Sequence, residues 1–390
     1  MIDTASLVDQ YCHGVLRTEL GLGTFEDRLR REALGATAQP GTTGPPAVGT
    51  SFFDTQTGFA VRRWCPPLLG LEPHCPPARY LARRRELGAS ATAGLLLRST
   101  GISTYLVDTA GAAAPLGPDP AAPDHAGPGE MAAMAGADAR EIVRLEPLAV
   151  RAADTAVCVG GFLAGCAAAV HTAGTSAVGF SAGAGAVLSA ALDPEPPGPG
   201  EVRGAAGRWL AGRRAGDPLT DPVLLRHLLW TAVTARLPLQ LHTGALGGPA
   251  PGEGGGPLAL TGFATATAGL GVALVLLGTP PYHRHAAQMT ALFPHVYADL
   301  GPGLARTGAR AAAVLAEVLE LAPFGKLLFS SGARGLPELH VVAARVFREA
   351  VARVLGGWVA EGAWSARDAR RVAGMIAADN ARRLYGLPGG

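Results

Sequence analysis

Lysine is nearly missing from this chain. Lys326 is the only one, and every other permanent cation is arginine. Charge of either sign is scarce at 16% of residues, and 33 basic against 31 acidic side chains nearly cancel. That balance excludes the basic footprint of a nucleic-acid binder. Cysteine is also sparse: five residues, an odd number, with no CxxC pair, which excludes a disulfide framework. Cys65 and Cys75 share Cys-Pro-Pro contexts and His74 adjoins the second, but a metal site there would lack a fourth ligand. The first residues show no basic segment leading into an apolar core, so no secretory leader is expected. The longest apolar stretches, Ala156 to Val170 and Ala268 to Leu277, fall short of the ~20 residues a membrane span needs. A reduced, cytoplasmic protein with neither a membrane nor a nucleic-acid partner is the expectation.

What is abundant is apolar: 48% of 390 residues are hydrophobic, enough for a large core. Short apolar runs alternate with Ala/Leu/Arg-rich helical segments, the signature of βα units around a parallel sheet. Eight strands are predicted, at Ser6–Cys12, Thr104–Asp108, Glu141–Leu145, Ala177–Phe180, Leu239–His242, Ala273–Leu277, Val296–Asp299 and Lys326–Ser330. Helices are predicted at Gly161–His171, Pro222–Ala235, Arg284–Phe293, Ala305–Glu320, Leu336–Leu355 and Ala366–Leu384. Eight such units make an α/β fold, a single (β/α)8 TIM-type barrel over residues 1–390. Helical insertions follow strands 1 and 2: residues 21–88, and a Pro/Ala/Gly-rich segment, 111–129, expected to be mobile.

Several segments in order along the chain resemble the amidohydrolase-related family, in the branch akin to the hydrolase half of nodulin/glutamine-synthetase fusion proteins. They are Val8–Gly14 (VDQYCHG), Leu106–Thr109 (LVDT), Glu141–Glu146 (EIVRLE), Leu237–Gly244 (LPLQLHTG) and Phe293–Leu300 (FPHVYADL). The longest is Ala322–Ser331 (APFGKLLFSS), continued by Gly335–Glu338, and the tail Asn380–Tyr385 (NARRLY) completes the set. The resemblance implies a barrel whose strand ends hold a divalent ion, often zinc, that activates water to attack amide or other C–N bonds. It implies ligands from a His-x-His pair on the first strand, a lysine or acid on the fourth, histidines on the fifth and sixth, and an aspartate on the eighth.

Checked position by position, that ligand set is depleted. Tyr11-Cys12-His13 stands at the first strand, where alternation turns Tyr11 and His13 inward and Cys12 outward. Ser181 stands where the fourth-strand lysine would be. With Lys326 at the other end of the barrel, no carbamylated lysine can form there. His242 survives on the fifth strand, whereas Gly278 and Gly332 replace the sixth-strand histidine and eighth-strand aspartate and are expected to widen the hollow. His13 and His242 are thus vestigial metal ligands, and the expectation is no cofactor, or one weakly held zinc. Tyr11, Gln240, His283, Asp108 and Glu146 are candidate contacts for a small-molecule ligand. His285, His295 and His340 are read as surface or packing histidines.

Three functional readings stay open. The family reaction could persist weakly, or the barrel could be a non-catalytic binding or regulatory protein. Alternatively, Gly179-Phe180-Ser181-Ala182-Gly183 spells G-x-S-x-G, with Ser181 as nucleophile and Asp217, Asp221 or Asp299 and His340 in triad order. Barrels of this kind commonly self-associate, so a homo-oligomer is expected.

Overall fold

The computed structural model describes residues 4, 6–34, 51–109, 125–243, 256–278 and 281–389. Eight strands run in chain order and pair in parallel: β1 (Leu7–Cys12), β2 (Ile102–Asp108), β3 (Asp138–Arg144), β4 (Gly179–Ala182), β5 (Leu239–His242), β6 (Leu274–Leu277), β7 (Val296–Asp299) and β8 (Leu327–Leu328). Backbone bonds from Gln10 N to Phe329 O (3.2 Å), Gly332 N to Tyr11 O (2.9 Å) and His13 N to Ala333 O (2.8 Å) join β8 to β1. The ring is the (β/α)8 barrel expected from the alternating pattern.

Two sets of apolar side chains divide by strand parity. Leu7, Val107, Phe180, Leu241, Leu276 and Ala298 face the helices, whereas Val8, Leu106, Ile142, Val275, Leu277 and Leu328 fill the interior. Adjacent residues of a strand point to opposite faces, so one sequence lays down both layers. A register shift between Asp9 and Cys12 re-phases β1, which is how Tyr11 joins the inward set after Val8. The lower opening is plugged by the C-terminal segment. Tyr385 donates its hydroxyl to Gln10 Oε1 at 2.8 Å, and Asn380 Nδ2 donates to Phe324 O and Leu327 O (2.8 and 2.9 Å). The chemistry of the barrel is therefore confined to the opposite, C-terminal face.

The insertion after β1 contains helices Leu22–Leu34, Gln56–Leu68 and Pro77–Leu87. A buried ion pair, Arg84 Nε to Glu338 Oε1 at 2.7 Å with the two side chains 4% and 0% exposed, ties it to the long helix Pro337–Ala360. Tyr80 donates to the same oxygen at 2.8 Å. After β2, residues 110–124 lie outside the described residues, while Pro128 and Gly129 open a helix, Pro128–Ala135, rather than extending a loop.

Other boundaries also differ from the sequence reading. The helix predicted over Ala305–Glu320 is split into Gly301–Thr307 and Ala311–Leu319 at Gly308, whose φ of +50° interrupts the helical backbone. The predicted Ala366–Leu384 helix contains a π turn, Met375–Asp379. Strand β4 runs two residues further than predicted, so Ser181 lies inside it. Among the described residues no helix is long and apolar enough to cross a membrane.

Candidate functional site at the C-terminal mouth of the barrel

Inward parity at the strand ends gathers Tyr11, His13, Asp108, Arg144, Ser181 and His242 at the mouth. Tyr11 is the hub of three rings, 5.3 Å from His13 and 5.2 Å from His242, edge-on to both. His13 Nδ1 lies 3.0 Å from the backbone oxygen of Asp108. A carbonyl only accepts, so Nδ1 carries the proton and Nε2 holds the ring's single lone pair. That lone pair faces the Tyr11 hydroxyl at 2.9 Å and Arg334 Nη2 at 3.2 Å. His242 Nε2 is 3.1 Å from Arg144 Nη2. A guanidinium only donates, so this nitrogen too is the unprotonated one.

Electrostatics agree with that assignment. Burial, then the charges of Arg334 and Arg144, hold His13 well below the usual imidazole range. Burial and Arg144 likewise push His242 down to about 3. Both rings are neutral at physiological pH.

Arg144 is the central cation. Its Nε and Nη2 donate to Asp108 Oδ2 at 3.1 and 2.6 Å, and the two side chains are only 11% and 0% exposed. Ser181 adds a third donor to the same oxygen at 2.7 Å. Burial alone would raise the Asp108 carboxyl. Arg144 and the Ser181 hydroxyl reverse this and hold it well below the carboxylate range, so the pair is ionised. Glu146, two residues beyond Arg144, accepts from Gly183 N at 2.6 Å, and burial raises its pKa against the pull of Arg144.

Other sequence candidates lie elsewhere. Gln240 points inward but below the mouth, where its Nε2 donates to Gln10 O at 2.7 Å and contacts Tyr385 at 2.9 Å. His283 turns to the neighbouring helix and pairs with Glu317 at 2.8 Å. Among the described residues no histidine is hydrogen-bonded to Ser181: its hydroxyl is given to Asp108, while His340 contacts Asp9 and Ser331 at 3.1 Å each. Asp9, Cys12 and His340 bring ligand-type atoms within 4.8 Å of one another. Asp9 is already engaged there by Ser331 N and Oγ (2.7 and 2.6 Å), and Cys12 belongs to the outward-facing core.

The two glycines differ from each other. A Cβ on Gly278 would meet nothing within 4 Å, whereas one on Gly332 would lie 2.3 Å from Pro302 Cγ. Pro302 thus fills the space that a side chain at 332 would need, and the hollow is not widened on that side. Asp299, beside β8, accepts from Gly301 N and Ser330 Oγ (3.1 and 2.9 Å), and burial pushes it up to about 7.

Arg144 and Arg334 are the residues the sequence reading overlooked. Arg144 was findable, because it shares strand parity with inward Ile142. Arg334 sits in the loop after β8, where no periodicity applies.

The comparisons with known proteins accord with this architecture. A family model described as Amidohydrolase matches residues 199–387. A segment of 117 residues is 33% identical to the protein fluG of Emericella nidulans, covering 29% of this chain and 13% of that protein. Among solved structures, a "putative metal-dependent hydrolase" from Lactobacillus casei superposes with a TM-score of 0.78 at 22% identity, over 99% of this chain and 96% of the other. The uronate isomerase of Thermotoga maritima gives 0.62 at 14% identity, covering 97% and 94%. At those identities the structures speak for the fold. Together with the family model over residues 199–387, they make this chain similar to the amidohydrolases in sequence over that stretch and in fold over its length.

Proposed function

We propose that this chain is a metal-free amidohydrolase barrel that binds a small molecule at its mouth and does not perform the family's metal-dependent hydrolysis. The observation that carries the reading is that the lone pairs of His13 and His242 both accept hydrogen bonds from guanidinium groups, Arg334 and Arg144. The resident metal implied by the family does not fit these residues. A neutral imidazole has one lone pair to give, and here each is already in use. Gly278 and Gly332 offer no donor atom, and Tyr11 contributes a phenol in place of an imidazole.

Magnitudes favour the same conclusion. A divalent ion ~4 Å from one guanidinium is repelled by about 8 kcal/mol at an effective dielectric of 20. A complete four-ligand zinc site is worth roughly 10–16 kcal/mol. Two ligands facing two guanidinium groups leave little or nothing of that. Loss of the strand-8 aspartate also removes the group expected to take a proton from water. The arginine pair supplies fixed positive charge where the family would use an ion, which suits binding and orientation.

The test is metal content by mass spectrometry on full-length protein grown with added zinc and purified without chelator. The proposal predicts far less than one zinc, manganese or iron per chain in a folded protein, and no hydrolysis of amide substrates above background. Stoichiometric metal, lost on His13→Ala or His242→Ala, would restore the hydrolase reading.

A further inference from the structure

Resting on that metal-free reading, the geometry points to a ligand class: we infer that the mouth is a site for a monoanionic carboxylate, held by Arg334 together with Arg144. The argument is one of uncompensated charge. Arg144 is matched by Asp108. Arg334 is half-buried, contacts neutral His13 through Nη2, and among the described residues makes no ion pair. The groups facing the two guanidiniums are Tyr11, His13, His242, Asp108 and Glu146. Glu146 is turned away from Arg334's fork, with one oxygen accepting from Gly183 N and the other buried without a hydrogen bond. Among the described residues Arg334 is thus a guanidinium that no carboxylate matches, one positive charge awaiting a partner.

A half-buried guanidinium without a counter-charge is unfavourable, and it retains N–H donors in a planar fork. A carboxylate matches that fork with two parallel hydrogen bonds and brings one negative charge. A phosphate monoester brings nearly two, which overcompensates. A neutral amide has the carboxylate's shape but leaves that charge unmet.

The experiment uses the full chain treated with EDTA, its metal content measured on the same sample. It is screened by fluorine NMR against fluorinated aromatic acids, each paired with its primary amide. Inorganic phosphate and fluorinated phenyl phosphate serve as competitors. The acids should be enriched among binders and their paired amides should bind at least tenfold more weakly. Arg334→Met should lower affinity for the acids at least tenfold, Arg334→Lys should recover part of it, and the exposed-helix variant Arg371→Met should change nothing. Equal binding of acids and amides, absence of acid binders, or indifference to Arg334→Met would overturn the inference while leaving the metal-free reading intact. Tighter binding of phosphate than of the acids would overturn the choice of carboxylate. Stoichiometric metal before EDTA, with acid binding that vanishes on its removal, would overturn both.

Discussion

Replacing Arg144 with methionine isolates the interaction on which the mouth depends. The variant keeps most of the aliphatic bulk and removes two hydrogen bonds to Asp108 Oδ2, at 3.1 and 2.6 Å, from a pair 11% and 0% exposed. Removing one member of a buried pair leaves the other unpaired, at a cost of about 3–5 kcal/mol. Asp108 retains the Ser181 hydroxyl, so the lower half of that range is expected.

The loss should depend on pH. In the wild type Arg144 holds Asp108 below its unfolded pKa, so the stabilisation is present above that value, ~3.9, and is lost as pH falls through the lower folded one. Without Arg144, burial raises Asp108 instead. The variant's deficit should then be full at pH 7 and shrink at pH 5 as the carboxyl takes a proton. Urea denaturation at both pH values, with Arg144→Met/Asp108→Asn as the companion variant, measures this. The double variant should recover most of the loss. A single-variant cost under ~1 kcal/mol, equal at both pH values, would mean that the pair is neither buried nor coupled as described.

Gly332→Asp, the substitution that would rebuild the family's aspartate, should destabilise the fold and give no metal binding. Its Cβ would sit 2.3 Å from Pro302 Cγ at a φ of +59°, and a lower melting temperature with no zinc gained is the expected result. Asp299 is pushed up to about 7, against ~3.9 unfolded, so its ionisation costs stability as pH rises from about 4 to 7, on the order of 4 kcal/mol in all. Denaturation at pH 5 and pH 8 should show that slope in the wild type and a flatter one in Asp299→Asn. Glu338→Ala leaves buried Arg84 with only the longer 4.0 Å pair to Glu19, and should cost about 3 kcal/mol by the same assay. Ser181 should resist a fluorophosphonate probe, since its hydroxyl is given to Asp108 and no histidine among the described residues is hydrogen-bonded to it.

The barrel was legible because β-strand parity and the alternation of apolar runs with helical segments are local signals. That Tyr11 and His13 share a face followed from the same rule, whereas their inward phase rests on the register shift in β1. Strand β4 ended too early in the sequence reading because Ser181, Ala182 and Gly183 have the composition of a turn. Ser181 is in register with Arg144 and Gln240 on the flanking strands and gives its hydroxyl to Asp108, and none of these is a local signal. Arg144 was legible by parity, two residues after inward Ile142 on the same strand. Arg334 and the clash of Pro302 with position 332 arise from loops brought together across the barrel, and only coordinates reveal them.

Crystals grown with millimolar zinc, with diffraction recorded on both sides of the zinc absorption edge, address the central claim directly. The account predicts no anomalous peak between His13 and His242, with the Arg144 and Arg334 guanidiniums still within hydrogen-bond distance of the two Nε2 atoms. A full-occupancy peak bonded to both imidazoles, with the arginines swung aside, would contradict it.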